Sequence, residues 1–205
     1  MSFVTGIFGR YQSDPGIEHW KMVKKTLRYV KGTTGVMLTY RKSESLEIEE
    51  YSESDFAGDA DDRKSTSGYI FTLAMGAISW KSSKQTVTAS SMMYAEFVAC
   101  YEASGQVTWL KKLVPGLKVV DSIEISLKLY CDNEPALFYA HNNKSSGAVK
   151  HIDIKFYVIK EQVQDQTICL EYIRTNKMLA DPLTKGIPPN MFRERLAGMG
   201  LREDL

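Results

Sequence analysis

Behind the turn signal Ser13-Asp14-Pro15-Gly16, the apolar residues Trp20, Val23, Leu27 and Val30 recur at three- and four-residue steps. That spacing predicts an amphipathic helix over 16–31, stopped by Gly32. Short strand-like runs follow at 35–40 and 46–52. The runs at 69–73 and 77–81 flank Met75-Gly76 and predict a hairpin. Residues 90–113 form the longest helical pattern, with Phe97, Cys100, Val107 and Leu110 on one stripe. The alternating SLKLYC at 126–131 reads as a strand and runs into Asp132-Asn133-Glu134-Pro135, a helix start. A short helix to about His141, the polar loop NNKSSG, a helix over 152–163 and a strand over 168–173 complete this part. Asp181-Pro182 opens a last helical segment, which residues 186–189 interrupt. Strands alternating with helices in this order predict an α/β fold.

The chain's 205 residues suit one domain with a short appendage, and its 43% apolar and 11% aromatic content can fill a core. A disordered tail, a collagen-like fibre and a low-complexity linker are thereby excluded. No apolar run approaches the roughly 18–20 residues that cross a bilayer. The first residues lack a signal-peptide layout, so no membrane partner and an intracellular, cytoplasmic address are expected. Cys100, Cys131 and Cys169 are widely spaced and lack a C-x-x-C pair, which reads as core thiols in a reducing compartment.

The net charge of +1 makes no global case for a nucleic-acid partner, but local charge is uneven. Eight Lys/Arg fall within residues 1–43, and nine carboxylates without a base fall within 44–62. Solvated surface is the plain reading of such blocks. Five acids stand out because they fall at element edges: Glu53 and Asp55 at a strand end, Glu96 early in the long helix, Asp132 just past a strand, and Asp181 at a helix start. Acids so placed can converge on one edge of a sheet, where hard divalent cations on oxygen ligands relieve their repulsion. Two such ions roughly 3.5–4 Å apart hydrolyse phosphodiesters in line. Each acid also has a duller role. Asp181 and Asp132 suit helix caps, Glu96 an exposed helical position, and Glu53 and Asp55 turn residues. Spacing alone leaves both readings open.

The words YSESDFAGDADDRKSTSGYIF, GAISWKSSKQTV, YAEFVAC, LYCDNEPAL, KHIDIKFYVIKE and LADPLTKG, in this order, closely resemble the ribonuclease H domain of copia-type retrotransposon Pol polyproteins. SDPGIEHWKMVKKTLRYVKGT is similar to the segment joining reverse transcriptase to that domain. The resemblance implies three units: a connecting segment at 1–43, a ribonuclease H-like domain at 44–188, and a helical tail at 189–205. It implies a mixed five-stranded sheet, its first three strands antiparallel, flanked by helices. It further implies cleavage of RNA in RNA–DNA hybrids with two Mg²⁺ (Mn²⁺ as substitute), and reverse transcriptase in the same polyprotein. The family's metal-binding acids fall on Glu53, Glu96, Asp132 and Asp181. Asn133, Lys150 and His151 fall on candidate substrate contacts, with Lys and Arg supplying sequence-independent affinity for phosphates.

One position departs from the family. Its first motif reads Tyr-Ser-Asp, whereas this chain has Tyr51-Ser52-Glu53, with Asp55 two residues on as a rival ligand. The extra methylene moves the carboxylate about an ångström, and misplacement of that size can cost about a hundredfold in rate. Glu49-Glu50 likewise stand where apolar or glycine residues are usual. Three function classes therefore remain: an active hybrid ribonuclease, a catalytically impaired relic acting as a nucleic-acid-binding or structural module, and, on composition alone, a protein-interaction module using the acidic block 44–62.

Overall fold

The computed structural model describes residues 1–42, 47–116, 127–141 and 153–203. Helices α1 (Ser2–Arg10) and α2 (Ile17–Gly32) precede strands β1 (Val36–Leu38), β2 (Ile48–Asp55), β3 (Thr66–Leu73) and β4 (Gly76–Lys84). Then come α3 (Met92–Gly116), β5 (Leu127–Cys131), α4 (Glu134–His141), α5 (Asp153–Gln164) and β6 (Ile168–Tyr172). Two 3₁₀ turns at Thr175–Lys177 and Asp181–Leu183 lead into α6 (Pro189–Gly198) and β7 (Leu201–Glu203).

Five strands make one mixed sheet in the order β4-β3-β2-β5-β6. β2, β3 and β4 run antiparallel, while β5 lies parallel to both β2 and β6. The first three strands of the sheet are thus antiparallel, as expected. The β3–β4 turn sits one residue earlier than Met75-Gly76, because Ala74 and Met75 take the two left-handed positions (φ 51° and 61°). Twisted strands select that turn despite its cost to side-chain-bearing residues.

Each face of the sheet has its own apolar layer. Phe71, Phe97, Val107, Leu129, Ile159 and Ile168 fill one side, under α3, α4 and α5. The helical stripe predicted for Phe97, Cys100, Val107 and Leu110 is buried there. Tyr51, Ile70, Ala77, Met178, Ala180, Leu183 and Met199 fill the other, so the 175–199 segment closes the second face.

The apolar stripe of α2 meets a different fate. No residue of α2 is buried, and Trp20, Leu27 and Val30 are exposed, so periodicity foretold the helix but not a covered face. The N-terminal elements are held by other contacts, among them one ion pair and one strand pairing. Arg10 of α1 meets the buried Asp59 at 2.8 Å, and β1 pairs antiparallel with β7. No helix among the described residues is long and apolar enough to cross a membrane.

Candidate active site

Strand alternation puts Glu53 on the face of Tyr51, and the 175–199 segment closes that face. Glu53 pairs in register with Gly68 of β3, and there the absence of a side chain matters. A Cβ at Gly68 would lie 2.7 Å from Leu183 Cβ and 2.7 Å from Thr184 Cγ2. Glycine lets the 181–184 turn close onto the sheet beside Glu53, and Asp181 is delivered with it.

Glu96 arrives from the opposite face. It lies in the first turns of α3, and its Oε1 accepts the Ser54 amide at the end of β2 (3.1 Å). Its Oε2 lies 4.0 Å from Cys131 Sγ, the last residue of β5. Asp132 follows directly, its Oδ2 accepting the Thr175 hydroxyl at 2.7 Å. One carboxylate oxygen each from Glu53, Glu96 and Asp132 lies within 4.8 Å of the others. The cluster sits at the carboxyl ends of the parallel neighbours β2 and β5, where an α/β sheet exposes its strand ends to ligands.

Burial sets the electrostatics. Glu53 is 3% exposed, and its pKa is pushed up to about 8 by desolvation and by Asp132, against the hydrogen bond from Lys185. Desolvation, with Glu53 adding to it, holds Glu96 well above the ordinary carboxylate range. One oxygen of Glu53, Oε2, is buried without a hydrogen-bond partner. Buried carboxylate oxygens are costly unless paired or bound to a cation. A divalent cation fits this three-acid cluster because it answers both the crowding of charge and the orphaned oxygen.

Asp181 is arranged differently from the other three. Its Oδ1 lies 2.9 Å from Lys185 Nζ, and its Oδ2 is met at 3.3 Å by the buried Arg195 of α6. Arg195 also donates to the Thr175 carbonyl (3.1 Å). Lys185 Nζ reaches across to Glu53 Oε1 at 2.8 Å. Burial opposes its charge, but the bonds to Glu53 and Asp181 hold its pKa above the lysine value. Lys185 and Arg195 were not singled out from the sequence, although Lys185 stands one turn beyond Asp181 in the word LADPLTKG. That i, i+4 spacing was the available signal.

The duller readings divide. Asp181 does not cap by its side chain, since the cap position of its turn is Ala180 and no side-chain cap bond forms. Nor does Asp132 cap α4. Asn133 does so, its Oδ1 accepting the Ala136 amide at 3.0 Å. Asp55 lies within β2, and its Oδ1 accepts the Thr66 amide of the paired strand. It stands outside the three-acid cluster. His19 accepts the Gly16 amide at the start of α2, and His141 Nε2 lies 3.3 Å from the Leu170 carbonyl. Lys150 and His151 lie outside the described residues.

No family model matches the chain. It is 37% identical over 201 residues to the retrovirus-related Pol polyprotein from transposon TNT 1-94 of Nicotiana tabacum, a match covering 97% of this chain. To the retrovirus-related Pol polyprotein from transposon RE2 of Arabidopsis thaliana it is 32% identical over 185 residues, 90% of this chain. Its homologues are thus copia-type retrotransposon Pol polyproteins. It matches 15% of the length of the first relative and 13% of the second. Among solved structures, LC11-RNase H1, isolated from compost, superposes with a TM-score of 0.50 at 18% identity, covering 68% of this chain and 94% of that one. The sheet of this chain is therefore a ribonuclease H-like fold, and its acidic cluster lies within that fold.

Proposed function

We propose that this Pol segment is a divalent-metal-dependent ribonuclease that cleaves the RNA strand of RNA–DNA hybrids. The observation carrying the reading is the convergence of Glu53, Glu96 and Asp132, with their oxygens within 4.8 Å, at the strand ends of a ribonuclease H-like sheet. These three side chains would hold Mg²⁺ (or Mn²⁺). A bound divalent ion supplies positive charge beside the scissile phosphate and acidifies a bound water. Glu96 is fixed by the Ser54 amide, and Asp132 is oriented by the Thr175 hydroxyl. Asp181 borders the cluster through Lys185, which ties it to Glu53.

Asn133, Lys150 and His151 are proposed to meet the hybrid, Asn133 through its side-chain nitrogen because its oxygen is committed to the α4 cap. Contacts to 2′-hydroxyls across the minor groove would distinguish the RNA strand. Residues 1–43 are read as the connecting segment from reverse transcriptase, in the same polyprotein, and 189–205 as the tail.

A hybrid with end-labelled RNA, incubated with the chain in Mg²⁺ or Mn²⁺, tests the reading. Cleavage should leave 5′-phosphate and 3′-hydroxyl ends, stop with EDTA, and vanish in Asp132→Asn and Glu96→Gln. Cleavage that survives both substitutions would sink the site. A second reading, the impaired relic, has Glu53 in its favour, since it stands where the family carries aspartate. No cleavage with either metal, alongside retained hybrid binding, would select it.

A further inference from the structure

Six charged groups meet at this site: the carboxylates of Glu53, Glu96, Asp132 and Asp181, and the cations of Lys185 and Arg195. With every carboxylate ionised, as metal ligation requires, four acids against two bases leave a charge of −2. One divalent ion cancels it; a second would leave the site as positive as it began negative. The next charges outward do not alter this count, since Asp55, Asp59 and Asp62 are balanced by Arg10, Lys84 and Lys64.

Geometry agrees with the count. The place where a second ion would touch both Glu53 and Asp181 is the place of Lys185 Nζ, at 2.8 Å from one and 2.9 Å from the other. The backbone of Lys185 is anchored, its amide donating to the Asp181 carbonyl at 3.1 Å. Behind Asp181, Arg195 is nine-tenths buried and held by the Thr175 carbonyl as well. A divalent ion there would face two like charges at short range and would strip charge-assisted bonds from buried groups. The other end of the cluster offers the opposite environment, with three acids and the orphaned Glu53 Oε2, whereas Asp181 Oδ1, also without an aligned hydrogen bond, has Lys185 Nζ at 2.9 Å.

We propose that Lys185 is the resident second cation of this site: the chain takes one divalent ion, on Glu53, Glu96 and Asp132, while Asp181 is held by Lys185 and Arg195. This rests on the metal-dependent reading above and departs from the two-ion expectation drawn from the resemblance. The ammonium then supplies, as a fixed part of the protein, the positive charge that a second ion would bring to the Asp181 side. It does so with one charge instead of two.

Titration of the metal-free chain with Mn²⁺, followed by calorimetry and by the electron paramagnetic resonance signal of free Mn²⁺, counts the ions without reference to activity. One Mn²⁺ per chain is expected for the wild type, and two for Lys185→Met, in which the seat is neutral. Two ions in the wild type, or still one in a folded Lys185→Met, would overturn the role of Lys185 and leave the metal-dependent reading intact. None in the wild type at millimolar Mn²⁺ would overturn both. The wild-type count needs no substitution, so it decides even where Lys185→Met fails to fold.

Discussion

Glu53 stands where the resemblance to the family leads one to expect aspartate, and charged groups surround it on both sides. The longer side chain lies buried against Asp132 on one side and is drawn to Lys185 at 2.8 Å on the other. Shortening it loosens the grip of Lys185 and returns the carboxylate toward the family's position. Glu53→Asp is therefore expected to raise the rate of hybrid cleavage at least about tenfold, or roughly 1.4 kcal/mol of barrier. Asp55→Asn should change it little, because Asp55 is committed to the Thr66 amide. Loss of cleavage in the second without gain in the first would move the ligand to Asp55. Its strand neighbour Glu50 poses a separate problem. It is fully buried, neither oxygen has a hydrogen-bond partner, and desolvation drives its pKa well up. Glu50→Leu removes an unsatisfied group, whose burial costs about 1–3 kcal/mol. The thermal midpoint should rise, and a fall would show that the carboxyl makes a bond essential to the fold.

At the scale of elements, the site depends on how closely the 181–184 turn approaches β3. Gly68 makes that approach possible, and elsewhere Gly→Ala would stabilise by about 0.4–1 kcal/mol through the unfolded chain. Here the added methyl meets Leu183 Cβ and Thr184 Cγ2 at 2.7 Å, in a turn whose backbone is tied at both ends. Overpacking of this kind costs about 1–3 kcal/mol and outweighs the entropy gain. Gly68→Ala should lower the thermal midpoint and tighten Mn²⁺ binding by calorimetry, since the turn carries the cation of Lys185 away from Glu53. An unchanged midpoint with unchanged metal affinity would mean that the turn is not seated by this contact.

Over the whole molecule, buried acids give stability a direction with pH. Glu53 titrates at about 8 in the fold against 4.5 in the open chain, and Glu50 and Glu96 are displaced the same way. A raised carboxyl contributes stability that is fully present below its open-chain pKa. That stability is lost as pH rises through the folded value. Each such group costs up to roughly 1.4 kcal/mol per pH unit across its window. Asp59 acts in the opposite sense. The hydrogen bond from Lys84, with the Asp61 amide and Arg10 assisting, holds it down to about 2, so its contribution is lost only as pH falls toward that value. In EDTA the thermal midpoint should thus be highest near pH 5 and decline to pH 8. Divalent metal should recover part of the loss at pH 8, where the ligands must be ionised. A midpoint that rises from pH 5 to 8 without metal would contradict the burial of these acids.

The α/β order, the long α3 with its buried stripe, and the strands that carry Glu53 and lead into Asp132 were legible in the chain, because each depends on local periodicity or on a contiguous word. The covering of the second sheet face was not legible. It is built from 175–199, a stretch whose apolar residues follow no single period and gain meaning only against Tyr51 and Ile70. The same holds for the cations. Only the i, i+4 spacing from Asp181 marks Lys185 and nothing local marks Arg195, yet the closure of α6 and the 181–184 turn places both on Asp181. The exposed stripe of α2 shows the converse, since periodicity records that a face is apolar and not what lies against it. The chain alone named the acids; the tertiary structure decided which of them come together, because charge is balanced in space and not along the sequence.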